Sequence, residues 1–436
     1  MISTEPFAGP AVNAKPVVPR GWMLLFVLVT VLFYLWGAAN TLNDVLIRQF
    51  MKSFELSRLQ AGFVQSAFYM GYFVLAIPAA LLMRRFGYKF GMVAGLLLFG
   101  SGTFLFWPAA AIGRYGFFLF ALFVIGSGLS FLETAANPFI AELGAPETAE
   151  RRLNLAQAFN PLGNISGTLM GTIFIFSGVE KSASEVSQMK AGGAWLPYAH
   201  AEMLRVVPVY IVVSTVVFIW AALLSRARFP VIAAEHEGAG HDRGSFGQLF
   251  GFRHFRLAVI AQFLYVGGQV CTWSYFIPYV QTYTHQPEKV AGLLLTVSLS
   301  FCMIGRFFST WLMQFIRPSR LMAIYGLANV TLCAMGIFIP GWTGMIALLV
   351  TTFFMSIMFP TIFALGIKGL GVNTKIGGAC IVMGIVGGAV LTPLMGKLSL
   401  LPFHNSLAHA FVVPLLCYLF IAWYSFSGYQ IRTAEG

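Results

Sequence analysis

Apolar runs of about twenty residues, the length that crosses a bilayer core, follow one another from Trp22 to the end of the chain. Short clusters of charge, proline and glycine separate them. Breaks in this pattern predict six helical spans over 21–50, 57–83, 90–111, 115–143, 152–177 and 204–225. Six more are predicted over 256–281, 288–315, 319–340, 342–369, 376–400 and 404–428. The implied fold is all-α and integral to a membrane, with twelve transmembrane helices in two sets of six over 21–225 and 256–428. The polar stretch 226–255, with AAEHEGAGHDRGS at its centre, is expected to be the cytoplasmic linker between bundles. Residues 1–20 and 429–436 are expected to be cytoplasmic tails. A second polar stretch, 180–203, joins spans 5 and 6 on the opposite side.

Composition agrees with the pattern: 58% of residues are hydrophobic and 10% charged, against roughly 25% charged in a soluble domain. Too little polar surface exists for a water-soluble shell. The net charge of +12 comes from Lys and Arg scattered between apolar runs, without the basic stripe that a nucleic-acid surface needs. With the N-terminus inside, Lys and Arg are in excess in the inward segments, so the positive-inside rule puts both termini in the cytoplasm. Cys271, Cys302, Cys333, Cys380 and Cys417 sit in apolar stretches with no metal-ligand spacing and read as small core residues. The N-terminus lacks the charged, apolar and cleavage regions of a secretory signal. The halves echo each other weakly, YLWGAAN against YVGGQV and AANPF against IMFPTIF. Such echoes fit a parallel half-repeat with a site at its interface, although glycine and proline are also simply frequent in membrane helices.

Of the fifteen acidic residues, Asp44 and Glu133 are those flanked on both sides by apolar helical sequence. A carboxylate inside a bilayer costs at least about 2.5 kcal/mol, so it normally faces protein or a wet cavity. Trp36, Asn40, Asn43 and Asp44, at i, i+4, i+7 and i+8, share one helical face. Span 4 places Asn137 one turn after Glu133, span 5 aligns Gln157, Asn160 and Asn164, and span 7 aligns Gln262, Tyr265, Gln269 and Trp273. Amides and acids that donate and accept suit a ligand covered in hydroxyls, and an aromatic face suits the C–H side of a sugar ring. Each amide alone is equally well interhelical glue; their convergence with two acids points to a small neutral polyol. Desolvation favours the neutral form of a carboxylic acid, so such an acid can carry a proton and release it when the site becomes wetter. Arg306, inside span 8, is left either to pair with a carboxylate or to line the cavity. No nucleophile elbow, Walker loop, zinc-binding HExxH or dinucleotide fingerprint occurs in a suitable context, so the chain is not expected to be an enzyme.

The segments ANTLNDVLIRQF (39–50), QSAFYMGYF (65–73), LETAANPF (132–139) and RLNLAQAFN (152–160), with WSYFIPY, IGRFFSTWL and SIMFPTIFALGIKGLG in the second half, carry a resemblance along nearly the full length. The chain resembles the fucose:proton symporter family of the major facilitator superfamily. That resemblance implies the major facilitator superfamily fold, two six-helix bundles (21–225 and 256–428) enclosing a central cavity, with alternating access by rocking of one bundle on the other. It assigns proton coupling to Asp44 and Glu133, and a sugar-facing wall to Trp36, Asn43, Gln157, Asn160 and Trp273; Asn40, Asn137 and Gln269 join the candidate wall from their spacing. Relatives carry Gln and Tyr where this chain has Met358 and Phe359, so two candidate sugar contacts are lost or replaced. Glucose/galactose relatives often have Gln in place of the span 4 acid, so retention of Glu133 favours L-fucose. Between spans 2 and 3, ALLMRRFGYK has Arg84 where the superfamily has an acid, so the usual gating ion pair lacks its carboxylate; Arg84, Arg85 and Lys89 read equally well as plain topology charges.

The expected function is proton-coupled import of a small neutral monosaccharide, most simply L-fucose. The alternatives are a glucose/galactose or N-acetylglucosamine transporter of the same family, or an uncoupled facilitator. No cofactor is expected beyond the coupling proton, no nucleic acid as partner, and a monomer in a bacterial cell inner membrane. Span 1 runs outward, so Asp44 is expected to meet proton and sugar from outside, with Glu133 acting deeper.

Overall fold

The structure, a computed structural model, describes residues 16–54, 58–175, 181, 183–230, 246–400 and 406–430. For Asp44, Val45, Ile47, Arg48 and some others it describes the helix but not the side chain. Residues 1–15 and 431–436 of the tails and the centre of the polar stretch 226–255 lie outside the described residues.

Helix α1 is Met23–Phe54. The long helix Arg58–Phe104 holds two spans, α2 and α3, which meet at Gly87. With φ 80° this residue reverses the chain in a conformation glycine adopts without steric cost. Short helix Phe106–Ile112 extends α3, and α4 is Tyr115–Glu142. Helix α5 runs through Ala149–Gln157, Phe159–Met170 and a last turn Gly171–Ile175. Helix α6 spans Trp195–Arg226. The second half contains α7 (Arg253–Thr284), α8 (Glu288–Leu312), α9 (Pro318–Phe338), α10 (Trp342–Ile367), α11 (Gly371–Ser399) and α12 (Leu407–Gly428).

The twelve spans follow the hydropathy pattern, with one correction. Helix α6 begins at Trp195, inside the stretch expected to be a polar connection. The physical reason is Glu202, whose acid is buried against partners: Gln49 Nε2 donates to Glu202 Oε2 at 3.1 Å and Arg205 Nε lies 3.6 Å from Oε1. Residues 183–191 of the same connection are also helical.

Helices α1 to α6 pack on one another, α1 on α5, α4 on both α2 and α3, and α3 on α6, while α7 packs on α11 and α12, and α9 on α10 and α12. The α1–α5 seam is close because Gly37 meets the backbone at Asn160, and Gly163 and Gly167 meet it at Tyr34 and Ala38; a Cβ at any of the three would collide. Small residues at this spacing let membrane helices approach backbone to backbone. The second bundle repeats the device between α7 and α11, where Gly387 sits on the carbonyl of Phe263. Large apolar side chains such as Leu24, Val212, Ile219, Leu327, Ile346 and Leu416 stand exposed around the outside, as suits a lipid-facing surface.

Helix α1 begins and α12 ends at one face, called here the terminal face. The polar contacts that join the bundles lie on its half of the molecule. Asn154 Nδ2 of α5 donates to Thr361 Oγ1 of α10 at 3.1 Å, and Lys368 beyond α10 is 3.7 Å from Glu150 of α5. Lys375 of α11 donates to the Met83 carbonyl of α2 at 3.1 Å, with its ammonium 4.9 Å from the centre of the Tyr88 ring. A cation on the carbonyl end of a helix is favoured by the helix dipole. The contact joins α2 to α11 without an acid at position 84.

Candidate functional site between the bundles

Helix α4 is buried along most of its length, and Glu133 lies near its middle with 3% of its surface exposed. Neither carboxylate oxygen has a hydrogen-bond partner among the described residues. Two other buried acids make the contrast: Glu150 and Glu202 each face a cation, Lys368 and Arg205. Tyr72 of α2 stands within electrostatic reach of Glu133 and beside the Trp36 indole. The Tyr72 hydroxyl, the Trp36 Nε1 and the Asn137 Nδ2 all lack a partner in hydrogen-bond geometry. Buried polar atoms are rarely left so, and here several gather around one acid.

The amides are held from neighbouring elements. Gln157 Nε2 of α5 donates to Asn137 Oδ1 at 2.7 Å, and Asn160 Nδ2 donates to the Phe33 carbonyl of α1 at 3.2 Å. The glycine seam fixes that α1–α5 distance and therefore places Asn160 beside α1. Asn40 is half-buried on α1, and Thr41 Oγ1 donates to Asn164 Oδ1 at 3.2 Å.

Across the interface, Gln269 Nε2 donates to the Tyr265 hydroxyl at 2.8 Å, and that hydroxyl donates to the Met355 carbonyl at 3.2 Å. Trp273 Nε1 reaches Thr352 Oγ1 at 3.4 Å. Helix α10 breaks at Ser356 and Ile357, as Pro360 requires by lacking an N–H. Beyond the break Phe359 stands between the bundles, its ring centre 6.4 Å from that of Trp36 and 6.3 Å from that of Tyr265. Met358 is fully buried.

The structure thus gathers Trp36, Glu133, Asn137 and Gln157 on the first-bundle side and Gln269 and Trp273 on the second. Asn43 is turned away from this group. It lines a small cavity of about 10 Å³ in the first bundle with Leu42, Phe68, Phe99 and Thr103, at the lower limit for one water. The four α1 residues span about 100° of arc at 3.6 residues per turn, and Asn43 occupies the edge facing α2 to α4. Gln262 is likewise interior, in the α7–α11 seam. The Asp44 side chain lies outside the described residues. Arg306 is 6% exposed and hydrogen-bonds to backbone carbonyls; no ion pair with a carboxylate is seen among the described residues. Tyr72 was not singled out by sequence reasoning, although it lies in the segment QSAFYMGYF; its spacing marks no face with the acids because it sits on another helix.

Two bundles of membrane-spanning helices enclosing a polar group at their interface define a secondary transporter. The sequence pattern of the Major Facilitator Superfamily matches residues 21–372. The chain is 41% identical over 419 residues to the L-fucose-proton symporter of Escherichia coli, covering 95% of each chain. It is 34% identical over 408 residues to the glucose/galactose transporter of Brucella abortus, covering 92% of this chain and 93% of that one. A crystal structure of the superfamily transporter FucP in the outward conformation matches with a TM-score of 0.85 at 40% identity, covering 93% of this chain and 99% of that one. The chain belongs to the Major Facilitator Superfamily, in the family of the fucose:proton symporters.

Proposed function

We propose that this chain imports a small neutral monosaccharide, L-fucose, together with a proton, by alternating access. The observation that carries the reading is Glu133: a deeply buried acid without a partner among the described residues. An ionised carboxylate buried without compensation is costly, and groups so placed take up a proton instead. Around it the unpartnered Trp36, Tyr72 and Asn137 atoms offer donors and an acceptor to sugar hydroxyls. Names of relatives support the substrate class: the one at 41% identity is an L-fucose-proton symporter, and so is one of those at 33%.

In this mechanism a protonated Glu133 favours sugar binding, the loaded bundles rock, and loss of the proton on the other side helps release. Asp44, nearer the far end of α1, receives proton and sugar first. The terminal face is cytoplasmic in this reading, so the Lys375–Met83 and Lys368–Glu150 contacts close the inner side and the described state faces outward. The stretch 226–255 then links the bundles in the cytoplasm of a bacterial cell, and the membrane is the inner one. A second reading, a glucose or galactose substrate, is supported by the name of the Brucella relative, a glucose/galactose transporter.

A thermal-shift panel of L-fucose, galactose, arabinose, glucose and N-acetylglucosamine tests the substrate. L-fucose is expected to stabilise the purified chain most, in line with ligand linkage. Stabilisation by glucose or galactose with no response to L-fucose would overturn the assignment to fucose.

A further inference from the structure

Arg306 places one guanidinium between the bundles, and both backbone carbonyls it reaches share a property. Its Nε donates to the Ser356 carbonyl of α10 at 2.8 Å, and its Nη1 donates to the Gln157 carbonyl of α5. Ser356 stands four residues before Pro360, and Gln157 four residues before Pro161. A proline has no N–H to give the carbonyl four residues earlier, so both acceptors lack their helical donor. Buried backbone acceptors need a partner. One planar fork therefore supplies two missing donors, one in each bundle, and the geometry of guanidinium suits this better than a point ammonium does.

The two turns it holds carry the site. The Gln157 side chain donates to Asn137 beside Glu133. The α10 break, whose Met355 carbonyl is held by Tyr265, sets Phe359 between Trp36 and Tyr265. Phe159 of α5 and Phe307 of α8 pack alongside with ring centres 5.9 Å apart. We propose that Arg306 is a positioning residue: by completing the helical bonds vacated by Pro161 and Pro360, it fixes the α5 and α10 walls of the sugar site in register. This rests on the site proposed above. The positive charge is solvated by carbonyl dipoles, and its part in transport comes through the two walls.

The test uses the full-length purified chain, with L-fucose binding and thermal melting as separate readouts. Arg306→Ala is expected to weaken L-fucose binding about tenfold or more and to lower the melting temperature. In a P161A/P360A background both carbonyls regain an in-helix N–H, and R306A is expected to weaken binding less than about threefold and to cost less in melting. The single P161A background, restoring one of the two bonds, should give an intermediate effect and serves if the double variant does not fold. Arg306→Lys, which keeps the charge and loses the fork, should recover part of the affinity. An equal penalty for R306A in all backgrounds, or binding unchanged by R306A, overturns the proposal. If the parent chain binds no L-fucose, the substrate reading fails alone, and the melting cycle still decides the role of Arg306.

Discussion

At the scale of single residues, the contrast among buried acids directs the account. Glu150 and Glu202 are satisfied by cations and behave as structural groups, whereas Glu133 and its neighbours Tyr72, Trp36 and Asn137 keep atoms uncommitted. Glu133→Gln keeps the shape and removes the titratable proton. It is expected to abolish proton-driven accumulation while preserving sugar exchange across the membrane, and Asp44→Asn should do the same; counterflow and gradient-driven uptake measured side by side check both. In the parent, sugar affinity should fall as pH rises, because alkaline conditions deplete the protonated form that binds; Glu133→Gln should flatten that dependence in a binding titration over the same range. Removing the Tyr72 hydroxyl deletes one hydrogen bond to ligand, worth about 0.5–1.5 kcal/mol. Tyr72→Phe should therefore weaken sugar binding roughly three- to tenfold while the chain melts at a similar temperature. Glu133 was legible in the sequence because its flanks are apolar on both sides. Tyr72 was not, because a tyrosine in an apolar helix is unremarkable until the helix opposite is known.

Among the elements, α1, α5 and α10 hold the site and each shows a different limit of sequence reading. The α1–α5 seam, with Gly163 and Gly167 four apart on α5 and Gly37 on α1, emerges only from the packing. Gly163→Leu would force side-chain atoms into the α1 backbone. Such overpacking typically costs about 1–3 kcal/mol, and a lowered melting temperature with lost sugar binding is expected. Helical periodicity aligned Asn43 with Trp36, but periodicity defines an arc and not which neighbour covers its edge; the edge at Asn43 is covered by α2 to α4. Helix α6 was read as starting late because Glu202 looks like loop sequence, and only Gln49 and Arg205, from distant and adjacent positions, make it a membrane residue. The break in α10 before Pro360 is absent from the expected span 342–369, and the donors that repair it, Tyr265 and Arg306, come from α7 and α8.

For the whole molecule, twelve spans in two sets of six followed from hydropathy and the polar stretch 226–255, since a bilayer demands helices of fixed length, and the two-bundle arrangement followed from the family resemblance. Which face is closed did not, because the closing contacts pair residues far apart in the chain, Met83 with Lys375 and Glu150 with Lys368. Lys375→Ala combined with Glu150→Gln should shift the population toward a state open at the terminal face. Labelling of single cysteines placed on each side of the cavity should become faster from the terminal face and slower from the far face; unchanged labelling would remove these contacts from gating. The central claim is that sugar and proton cross together through the Glu133 site. Simultaneous recording of L-fucose uptake and external pH in proteoliposomes tests it most directly. The account predicts that adding L-fucose alkalinises the outside as sugar enters, with both signals lost as net flux in Glu133→Gln. Sugar entry without any pH change, or full accumulation in that variant, contradicts it.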